Sequence, residues 1–282
     1  MPKSIDFLGF GEAGRIFADT LRQQGEFIIQ AYDRLETPEM LAAMTSRNVT
    51  PIQPEQFGTS DWVISAVTAD QSLLAAECIA SHLTQGQTYI DINSVSPNRK
   101  KATAALVQSR GAHYIDMAVM APVIPKGHAT PTLIAGEKAT EIAETLETLG
   151  FDFRIIGDEP GRATAIKMVR SLFVKGLEAI TVETLLAAEA SGCYDDILTS
   201  LSGSYPGLDW STLPAYQFER SIRHGKRRAA EMRESAATID DLGLTGALAA
   251  AVAEVQDCMA ETKAPDHTDV KDVLTRRLHK KV

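Results

Sequence analysis

The stretch Gly9-Phe10-Gly11-Glu12-Ala13-Gly14 decides the fold of the first half of this chain. An apolar run precedes it at residues 5–8, and apolar residues with helical spacing follow it at 16–21. In a strand–turn–helix unit, the first glycine permits a tight turn, the second lets backbone approach a pyrophosphate, and the third lets the helix pack close to the strand. The pattern therefore predicts a dinucleotide-binding unit, and a glycine-rich turn without a ligand is the alternative.

An acidic residue lies where such a unit needs one. A second apolar run, residues 27–32, ends in Asp33, about 20 residues beyond the third glycine, where a carboxylate can bind the adenosine ribose hydroxyls. Arg34 follows directly. We expect the dinucleotide to bind Gly9, Gly11, Glu12, Ala13, Gly14, Asp33, Arg34, Val67, Thr68 and Asn93. The last three lie at strand ends that are described below.

Composition limits the possible functions. The chain has 282 residues, 44% of them apolar, and a formal net charge of −9, so it can bury a full core and lacks the basic character of nucleic-acid-binding proteins. Its three cysteines are scattered, without the spacing of a metal site or a disulfide framework. No signal peptide and no stretch of membrane-spanning length are recognisable. We expect a cytoplasmic protein that binds no metal, membrane or nucleic acid.

Residues 4–156 alternate short apolar runs with amphipathic segments, which is typical of a parallel sheet with helical crossovers. Strands are predicted at residues 4–8, 27–32, 49–51, 62–66, 88–92, 113–118, 131–135 and 152–156. Helices are predicted near residues 13–24, 38–46, 70–83, 98–109 and 138–149. The expected fold is an α/β Rossmann domain, doubly wound around a mostly parallel sheet, followed by an all-α domain.

The pattern changes after residues 157–161, because little β character follows. Residues 162–190 predict one long helix that is apolar on most sides, as in a helix buried in a core or an interface. Further helices are predicted near residues 194–202, 209–223, 225–241, 245–260 and 267–279, with Pro265 before the last. The predicted domains are residues 1–160, which bind the dinucleotide, and residues 161–282, a helical substrate and dimerisation domain.

Polar residues follow three of the predicted strands, at the edge where an open α/β sheet binds its ligands. These strand ends are Ser65–Thr68, Asp91–Pro97 and Asp116–Pro122. Asn93 and Ser94 are expected to face the cofactor. For Asp91, Ser96 and Asp116 a structural role is equally open, as a helix N-cap or as a buried hydrogen-bond acceptor.

The long predicted helix carries a polar stripe. The stripe consists of residues that lie on one face of the helix because they are three or four positions apart. They are Lys167, Arg170, Ser171, Val174, Lys175 and Glu178. We expect this stripe to line the cleft between the domains, and a solvated face is the alternative. Lys167 would then lie near the nicotinamide, where Arg170 and partial burial lower the pKa of its amine. A lysine with a lowered pKa can act as general base and then as general acid.

These segments resemble the β-hydroxyacid dehydrogenase family, which includes 3-hydroxyisobutyrate and 6-phosphogluconate dehydrogenases, over nearly the whole chain. The segments that carry the resemblance are Gly9–Gly14, Asp91–Pro97, Asp116–Pro122 and Gly161–Lys167. The resemblance places Lys167 at the position of the family's catalytic lysine. Ser171 stands where the family usually has asparagine, so Lys167 and Ser171 are the expected catalytic residues. Arg170 stands where related enzymes have histidine or asparagine.

The substrate loop departs from the family pattern. Met120-Ala121-Pro122 replaces the family's serine-glycine-glycine turn, and the chain resembles the divergent branch whose C-terminal domain has no settled function. The family also uses cationic groups from a C-terminal helix, which corresponds here to Arg223–Arg228, and a solvated helix face is the alternative for this cluster. The expected substrate contacts are Ser94, Met120, Ala121, Pro122, Arg170, His224 and Arg227.

The resemblance implies an NAD-linked oxidation of a β-hydroxy acid, or the reverse reduction, with Lys167 taking the hydroxyl proton. Asp33 favours NAD because a carboxylate would repel a 2′-phosphate, while Arg34 leaves NADP possible. The resemblance also implies a homodimer that buries the long helix. Two other functions stay open: an imine or aldehyde reductase of the same fold, and a dinucleotide-binding protein without catalysis.

Overall fold

The computed structural model describes residues 1–262 and 270–279 and divides into two compact units, Met1–Met168 and Val169–Val282. The division falls within a single helix, Arg162–Ala190, which begins just after the predicted domain boundary. The start of that helix, residues 162–168, therefore belongs to the first unit. Lys167 is consequently part of the same unit as the glycine-rich turn.

Within the first unit, all of whose residues are described, eight strands form one sheet and confirm the eight predicted strands. The strands are β1 (Ser4–Leu8), β2 (Ile28–Tyr32), β3 (Thr50–Pro51), β4 (Trp62–Ser65), β5 (Thr88–Asp91), β6 (His113–Val119), β7 (Thr132–Ala135) and β8 (Phe153–Ile155). Their order is β3-β2-β1-β4-β5-β6-β7-β8, and each neighbouring pair in this unit is parallel except β6 with β7. The sheet is therefore mostly parallel, as expected.

Helices cover both faces of this sheet. They are α1 (Glu12–Leu21), α2 (Pro38–Thr45), α3 (Ser72–Ala80), α4 (Pro97–Gln108) and α5 (Ala139–Thr148). Phe17 of α1, Met44 of α2 and Leu146 of α5 pack in one apolar core. Ile79 of α3 and Val107 of α4 pack in a second core on the opposite face. The sheet is therefore doubly wound, which confirms the predicted fold class.

The chain changes direction across the sheet at β1. From β1 it continues outward to β2 and β3, and it then returns to the other side of β1 as β4. At such a switch point, the carboxyl ends of the two adjacent strands open a crevice in which α/β proteins bind ligands. Gly9 follows β1 and Val67 follows β4, so the glycine-rich turn lies at this crevice.

Asp6 is an acidic residue inside the sheet. It lies in the middle of β1 with no exposed surface. Neither of its carboxylate oxygens forms a hydrogen bond with any of the described residues. Burial raises the pKa of this carboxyl from 3.8 to about 6, and the nearby Ser60 hydroxyl lowers the pKa only in part. An ionised carboxylate at this position disfavours the folded state.

Replacing Asp6 with asparagine is expected to raise the free energy of unfolding near neutral pH. The pKa of Asp6 is higher in the folded chain than in the unfolded chain. The protonated carboxyl therefore favours the folded state most below pH 3.8, and this stabilisation is lost as the pH rises through about 6. That difference in pKa corresponds to about 3 kcal/mol. The free energy of unfolding of Asp6→Asn, measured with denaturant, should therefore exceed that of the wild type by about this amount at slightly alkaline pH. In acid the two proteins should be almost equally stable. Loss of stability at alkaline pH would contradict the expectation.

The described part of the second unit is helical, as predicted. After α6 (Arg162–Ala190), it contains α7 (Tyr194–Ser204), α8 (Leu213–Asp241), α9 (Ala247–Ala260) and α10 (Val270–His279). Ala179 of α6, Met232 of α8 and Val252 of α9 pack in a common core. Pro265 and residues 267–269, predicted to precede and begin the last helix, lie outside the described residues. Among the helices that the structure describes, none is long and apolar enough to cross a membrane.

The prediction of separate helices at residues 209–223 and 225–241 is wrong, because α8 continues through Gly225. A Cβ at Gly225 would lie 2.4 Å from the carbonyl oxygen of Gln256 in α9. The glycine therefore lets two helices approach closely and does not end one. A glycine that serves packing and a glycine that ends a helix look the same in a sequence.

Candidate cofactor and catalytic site

The turn after β1 has the geometry that its glycines predict. Gly9 has a φ of +91°, and a Cβ there would lie 2.6 Å from Val67 Cγ1. A Cβ on Gly14, in α1, would lie 2.6 Å from the Gly9 carbonyl oxygen. Gly9 is therefore required for the turn, and Gly14 for the close packing of the helix on the strand.

Gly11 differs from the other two glycines, because nothing lies within 4 Å of the position that its Cβ would take. It is the N-cap of α1, which begins with Glu12 and Ala13, and within the described chain no side-chain hydrogen bond caps this helix at Gly11. The first N–H groups of α1 are therefore open to an anion, and the backbone at Gly11 leaves space for it. These features fit the pyrophosphate of a dinucleotide.

Asp33 follows β2 and contacts the same turn. One carboxylate oxygen accepts a hydrogen bond from the Phe10 N–H at 2.7 Å, and the other accepts one from the Leu35 N–H at 2.9 Å. The exposed guanidinium of Arg34 donates to Gln71 Oε1 at 2.7 Å. Asp33 thus holds the glycine-rich turn in place. Because a carboxylate oxygen accepts more than one hydrogen bond, Asp33 can also receive ribose hydroxyls.

The loop after β4 is held by Asn93, which follows β5. The Asn93 Oδ1 accepts a hydrogen bond from the Val67 N–H at 2.7 Å, and its Nδ2 donates to the hydroxyls of Ser65 and Ser72. The side chain of Asn93 is buried and both amide hydrogens are used within the protein, so a direct contact of Asn93 with the cofactor stays a prediction. Asn93 also positions the backbone of Val67 at the crevice.

Lys167 and Ser94 meet in the first unit. The Lys167 Nζ donates a hydrogen bond to the Ser94 Oγ at 2.5 Å, and both residues are half-buried. Ser94 lies in the loop after β5, and Lys167 lies near the start of α6. The fold thus brings together two predicted site residues that are distant in the sequence. An amine beside a hydroxyl, at the carboxyl edge of the sheet, can exchange a proton with a bound ligand.

Asp116 holds the start of α6. It lies in β6 with no exposed surface, and its Oδ2 accepts hydrogen bonds from the Gly161 and Thr164 N–H groups at 3.1 and 3.0 Å. The Thr164 hydroxyl donates to the Val95 carbonyl oxygen at 2.8 Å. Asp116 thus provides acceptors for N–H groups that a helix start leaves without partners. The structural alternative for Asp116, a buried hydrogen-bond acceptor, is confirmed.

Lys100 is a buried neighbour of this site that the sequence pattern does not reveal. It lies in the first turn of α4 with no exposed surface, and its Nζ is 2.8 Å from Asp91 Oδ1 and 3.5 Å from Asp116 Oδ1. The Tyr114 hydroxyl donates to the other Asp91 oxygen at 2.7 Å. Burial raises the pKa of Asp116, and the Lys100 ammonium opposes that rise. In the sequence, Lys100 belongs to the run Asn98–Lys101, which is typical of a solvated helix start.

The loop after β6 contains the predicted substrate residues Met120, Ala121 and Pro122. The Met120 N–H donates to the Pro131 carbonyl oxygen at 2.9 Å, and Ala121 and Pro122 are exposed. The turn therefore offers a ligand apolar side chains and backbone groups. It lacks the serine hydroxyl of the serine-glycine-glycine turn found in the β-hydroxyacid dehydrogenase family.

The helical unit contains the remaining predicted site residues. The Ser171 hydroxyl accepts a hydrogen bond from Lys175 Nζ at 3.1 Å, and Lys175 pairs with Glu231 of α8 at 2.9 Å. Arg227 pairs with the second oxygen of Glu231, also at 2.9 Å. His224 is half-buried. Ser171 and Arg227 are therefore joined through Lys175 and Glu231 in one polar cluster.

The expectation that the polar stripe of α6 lines a wet cleft is wrong for its second half. Lys175 and Glu178 are buried, and they form ion pairs with Glu231 and Arg228 of α8. Burial removes these charges from water, and the opposite charges offset that cost. Arg170 is exposed.

The comparisons with known families agree with this geometry. Residues 4–156 match the family described as the NAD binding domain of 6-phosphogluconate dehydrogenase. Residues 188–259 match a family described as a domain of unknown function. The first match includes the glycine-rich turn, Asp33 and the loops after β4 and β5.

Similar proteins extend the comparison to nearly the whole chain. A conserved hypothetical protein from Sinorhizobium meliloti has a solved structure that is 34% identical, with a TM-score of 0.76 over 98% of this chain and 97% of that one. The 3-hydroxyisobutyrate dehydrogenase of Mycobacterium tuberculosis shares the fold, with a TM-score of 0.73 at 18% identity over 98% and 99% of the two chains. The 2-(hydroxymethyl)glutarate dehydrogenase of Eubacterium barkeri is 23% identical over 222 residues, 75% of this chain and 72% of that protein. This chain belongs to the family of the NAD binding domain of 6-phosphogluconate dehydrogenase, in a branch whose C-terminal domain has no assigned function.

Proposed function

We propose that the protein is an NAD(P)-dependent dehydrogenase that transfers hydride between the nicotinamide and a β-hydroxy acid or its carbonyl form. The observation that carries the proposal is the 2.5 Å hydrogen bond from Lys167 to Ser94, in the same unit as the glycine-rich turn. The sequence similarity to a named hydroxyacid dehydrogenase supports the same reaction class.

Lys167 is the proposed general acid and base. The nicotinamide, when bound, supplies the hydride chemistry. The open backbone at Gly11 and the start of α1 bind the pyrophosphate, and Asp33 receives the ribose hydroxyls. In its neutral form, Lys167 accepts the proton of the substrate hydroxyl at Nζ, and it returns that proton to the carbonyl oxygen in the reverse reaction. Ser94 holds Nζ in place for this exchange.

The substrate contacts are proposed on the resemblance to the β-hydroxyacid dehydrogenase family. They are Ser94, Met120, Ala121, Pro122, Arg170, His224 and Arg227, whereas Ser171 is proposed, with Lys167, as a catalytic residue. Arg227 already pairs with Glu231, so a substrate carboxylate would have to compete with Glu231 for its guanidinium.

We further propose that NAD is preferred over NADP. A 2′-phosphate beside Asp33 would meet a carboxylate that is already fixed by the Phe10 N–H. Arg34 could bind such a phosphate, although its guanidinium already donates to Gln71. A much higher kcat/KM with NADP than with NAD would reject this preference.

Binding and turnover of the wild-type protein test the proposed function. Calorimetric titration and thermal shift with NAD, NADH, NADP and NADPH identify the cofactor pair, and absorbance at 340 nm follows turnover over a panel of small and aryl hydroxy acids. Binding of one pair together with turnover supports the dehydrogenase. Binding without turnover of any hydroxy acid rejects it in favour of a non-catalytic protein, and turnover of imines or simple aldehydes alone rejects it in favour of a reductase.

We also propose that the protein forms a homodimer through α6. Val169, Phe173 and Ile180 are 52%, 74% and 59% exposed, and their spacing places them on one side of the helix. Apolar side chains that are exposed together on one helix are typical of a protein–protein interface. A second copy of the chain, presenting the same side of α6, would cover them.

Phe173→Glu is expected to convert this dimer to a monomer, because a carboxylate would be buried without a partner in the interface. Light scattering at micromolar concentration measures the mass. Leu248→Glu is the matched control, since Leu248 is an apolar residue of α9 with 59% exposure, and this variant should stay dimeric. A monomeric wild-type protein at that concentration would contradict the proposal.

A further inference from the structure

We propose that Asp116 is a positioning residue for Lys167, that it acts through the first turn of α6, and that the buried Lys100 keeps it in place. The inference rests on the proposed function of Lys167 as the general acid and base. It concerns how the protein holds that side chain against Ser94.

The connection from Asp116 to Lys167 is short. The carboxylate of Asp116 accepts hydrogen bonds from Gly161 and Thr164, and Lys167 follows Thr164 by three residues, on the same side of the helix. The direction in which Lys167 leaves α6 is therefore set by the turn that Asp116 holds. Because Asp116 belongs to β6, this contact ties the helix start to the sheet.

A second pair of hydrogen bonds ties α6 to the loop that receives Lys167. The Thr164 hydroxyl donates to the Val95 carbonyl oxygen at 2.8 Å, and the Lys167 amine donates to the neighbouring Ser94. The N–H of the same Thr164 donates to Asp116 at 3.0 Å. A change at Asp116 would therefore be transmitted to the spacing between Lys167 and Ser94.

The Lys100 ammonium favours the ionised form of Asp116, against the burial that raises the pKa of this carboxyl. Asp91 and Asp116 are partners in register on β5 and β6, and both have no exposed surface. Two buried carboxylates on neighbouring strands repel each other, which favours protonation of one of them. The Lys100 ammonium lies 2.8 Å from one and 3.5 Å from the other, and it offsets that repulsion. An ionised Asp116 accepts N–H hydrogen bonds more strongly than a protonated one.

Acylation of lysines by acetic anhydride, read by mass spectrometry, tests the inference without a substrate. In the wild type, the half-buried Lys167 should react slowly relative to the exposed Lys226, and the fully buried Lys100 should not react. In Asp116→Asn, the Lys167 rate should rise several-fold, because the amine leaves Ser94, while Lys100 stays unlabelled. Ser94→Ala should raise the Lys167 rate in the same way.

Asp6→Asn is the matched control, since it makes the same substitution at another carboxylate without exposed surface in the first unit, and it should leave the Lys167 rate unchanged. An unchanged Lys167 rate in Asp116→Asn, with lower thermal stability, would show a merely structural cap and overturn the inference. If labelling of Lys100 shows that Asp116→Asn has unfolded, Asp116→Glu is tested in its place. This variant keeps the negative charge but displaces the carboxylate oxygen that accepts the hydrogen bonds. A raised Lys167 rate then supports the inference, and an unchanged rate overturns it.

The result is separable from the proposed function. A wild-type protein without turnover rejects the dehydrogenase and leaves the labelling result standing, whereas an unchanged labelling rate rejects the positioning role even in an active enzyme. In an active enzyme, Asp116→Asn should lower kcat while KM and the cofactor dissociation constant stay the same. Asp6→Asn should change none of these three quantities.

Discussion

Replacing Lys167 with alanine is expected to lower kcat by about 10²–10⁴-fold, which is the usual contribution of one general acid–base group. The dissociation constant of the cofactor should not change, because the glycine-rich turn and Asp33 make their hydrogen bonds without Lys167. Steady-state kinetics and calorimetric titration of NADH measure the two quantities separately. The combination of lost turnover and kept binding distinguishes a proton-transfer residue from a cofactor ligand.

Two further variants define the role of the amine. Lys167→Arg keeps the positive charge, but a guanidinium does not deprotonate at neutral pH, so this variant should be as inactive as Lys167→Ala. Lys101→Ala, at an exposed position of α4, is the control and should retain full activity. Wild-type turnover in either Lys167 variant would show that another group carries the proton.

Replacing Gly11 with valine is expected to weaken NADH binding by on the order of a hundredfold, or about 2.7 kcal/mol, while the poorer N-cap lowers stability by only about 1 kcal/mol. The valine side chain would enter the space that is open at Gly11, where the backbone must approach the pyrophosphate. The fold should tolerate it, because φ at Gly11 is −71° and no atom lies within 4 Å of the new Cβ. Calorimetry and thermal unfolding measure affinity and stability.

Other glycines supply controls for this variant. Gly203, in α7, has equally open surroundings, so Gly203→Val should change neither cofactor affinity nor folding. Gly9→Ala should destabilise the protein, because its Cβ would lie 2.7 Å from the Ala66 carbonyl oxygen at a positive φ. Wild-type affinity in Gly11→Val would place the dinucleotide elsewhere and contradict the proposed site.

Features set by local physics could be predicted from the sequence. The eight strands follow from short apolar runs between turn residues, and α6 has the predicted bounds, 162–190, because apolar residues recur along its whole length on most of its sides. The glycine-rich turn was predictable because a positive φ at Gly9 and a close approach at Gly14 each restrict the residue type.

Features set by tertiary contacts were not predictable from pattern alone. Lys100 and Asp6 are completely buried, although charged residues are normally exposed, and nothing local in their segments marks them. Lys175 and Glu178 share the polar stripe of α6 but are covered by ion pairs from α8. The partner of Lys167 was also hidden, because the pairing with Ser94 depends on how the start of α6 is held.

Deuterium transfer is the most direct test of hydride chemistry that depends on Lys167. NADH carrying deuterium at both positions of the nicotinamide C4 is incubated with pooled 3-oxo acids and semialdehydes, and the products are read by mass spectrometry. Wild-type protein should yield an alcohol with one deuterium on the carbinol carbon, and Lys167→Ala should yield almost none. If wild-type protein binds NADH but forms no labelled alcohol from any pool, or if Lys167→Ala forms as much as the wild type, the proposed function is contradicted.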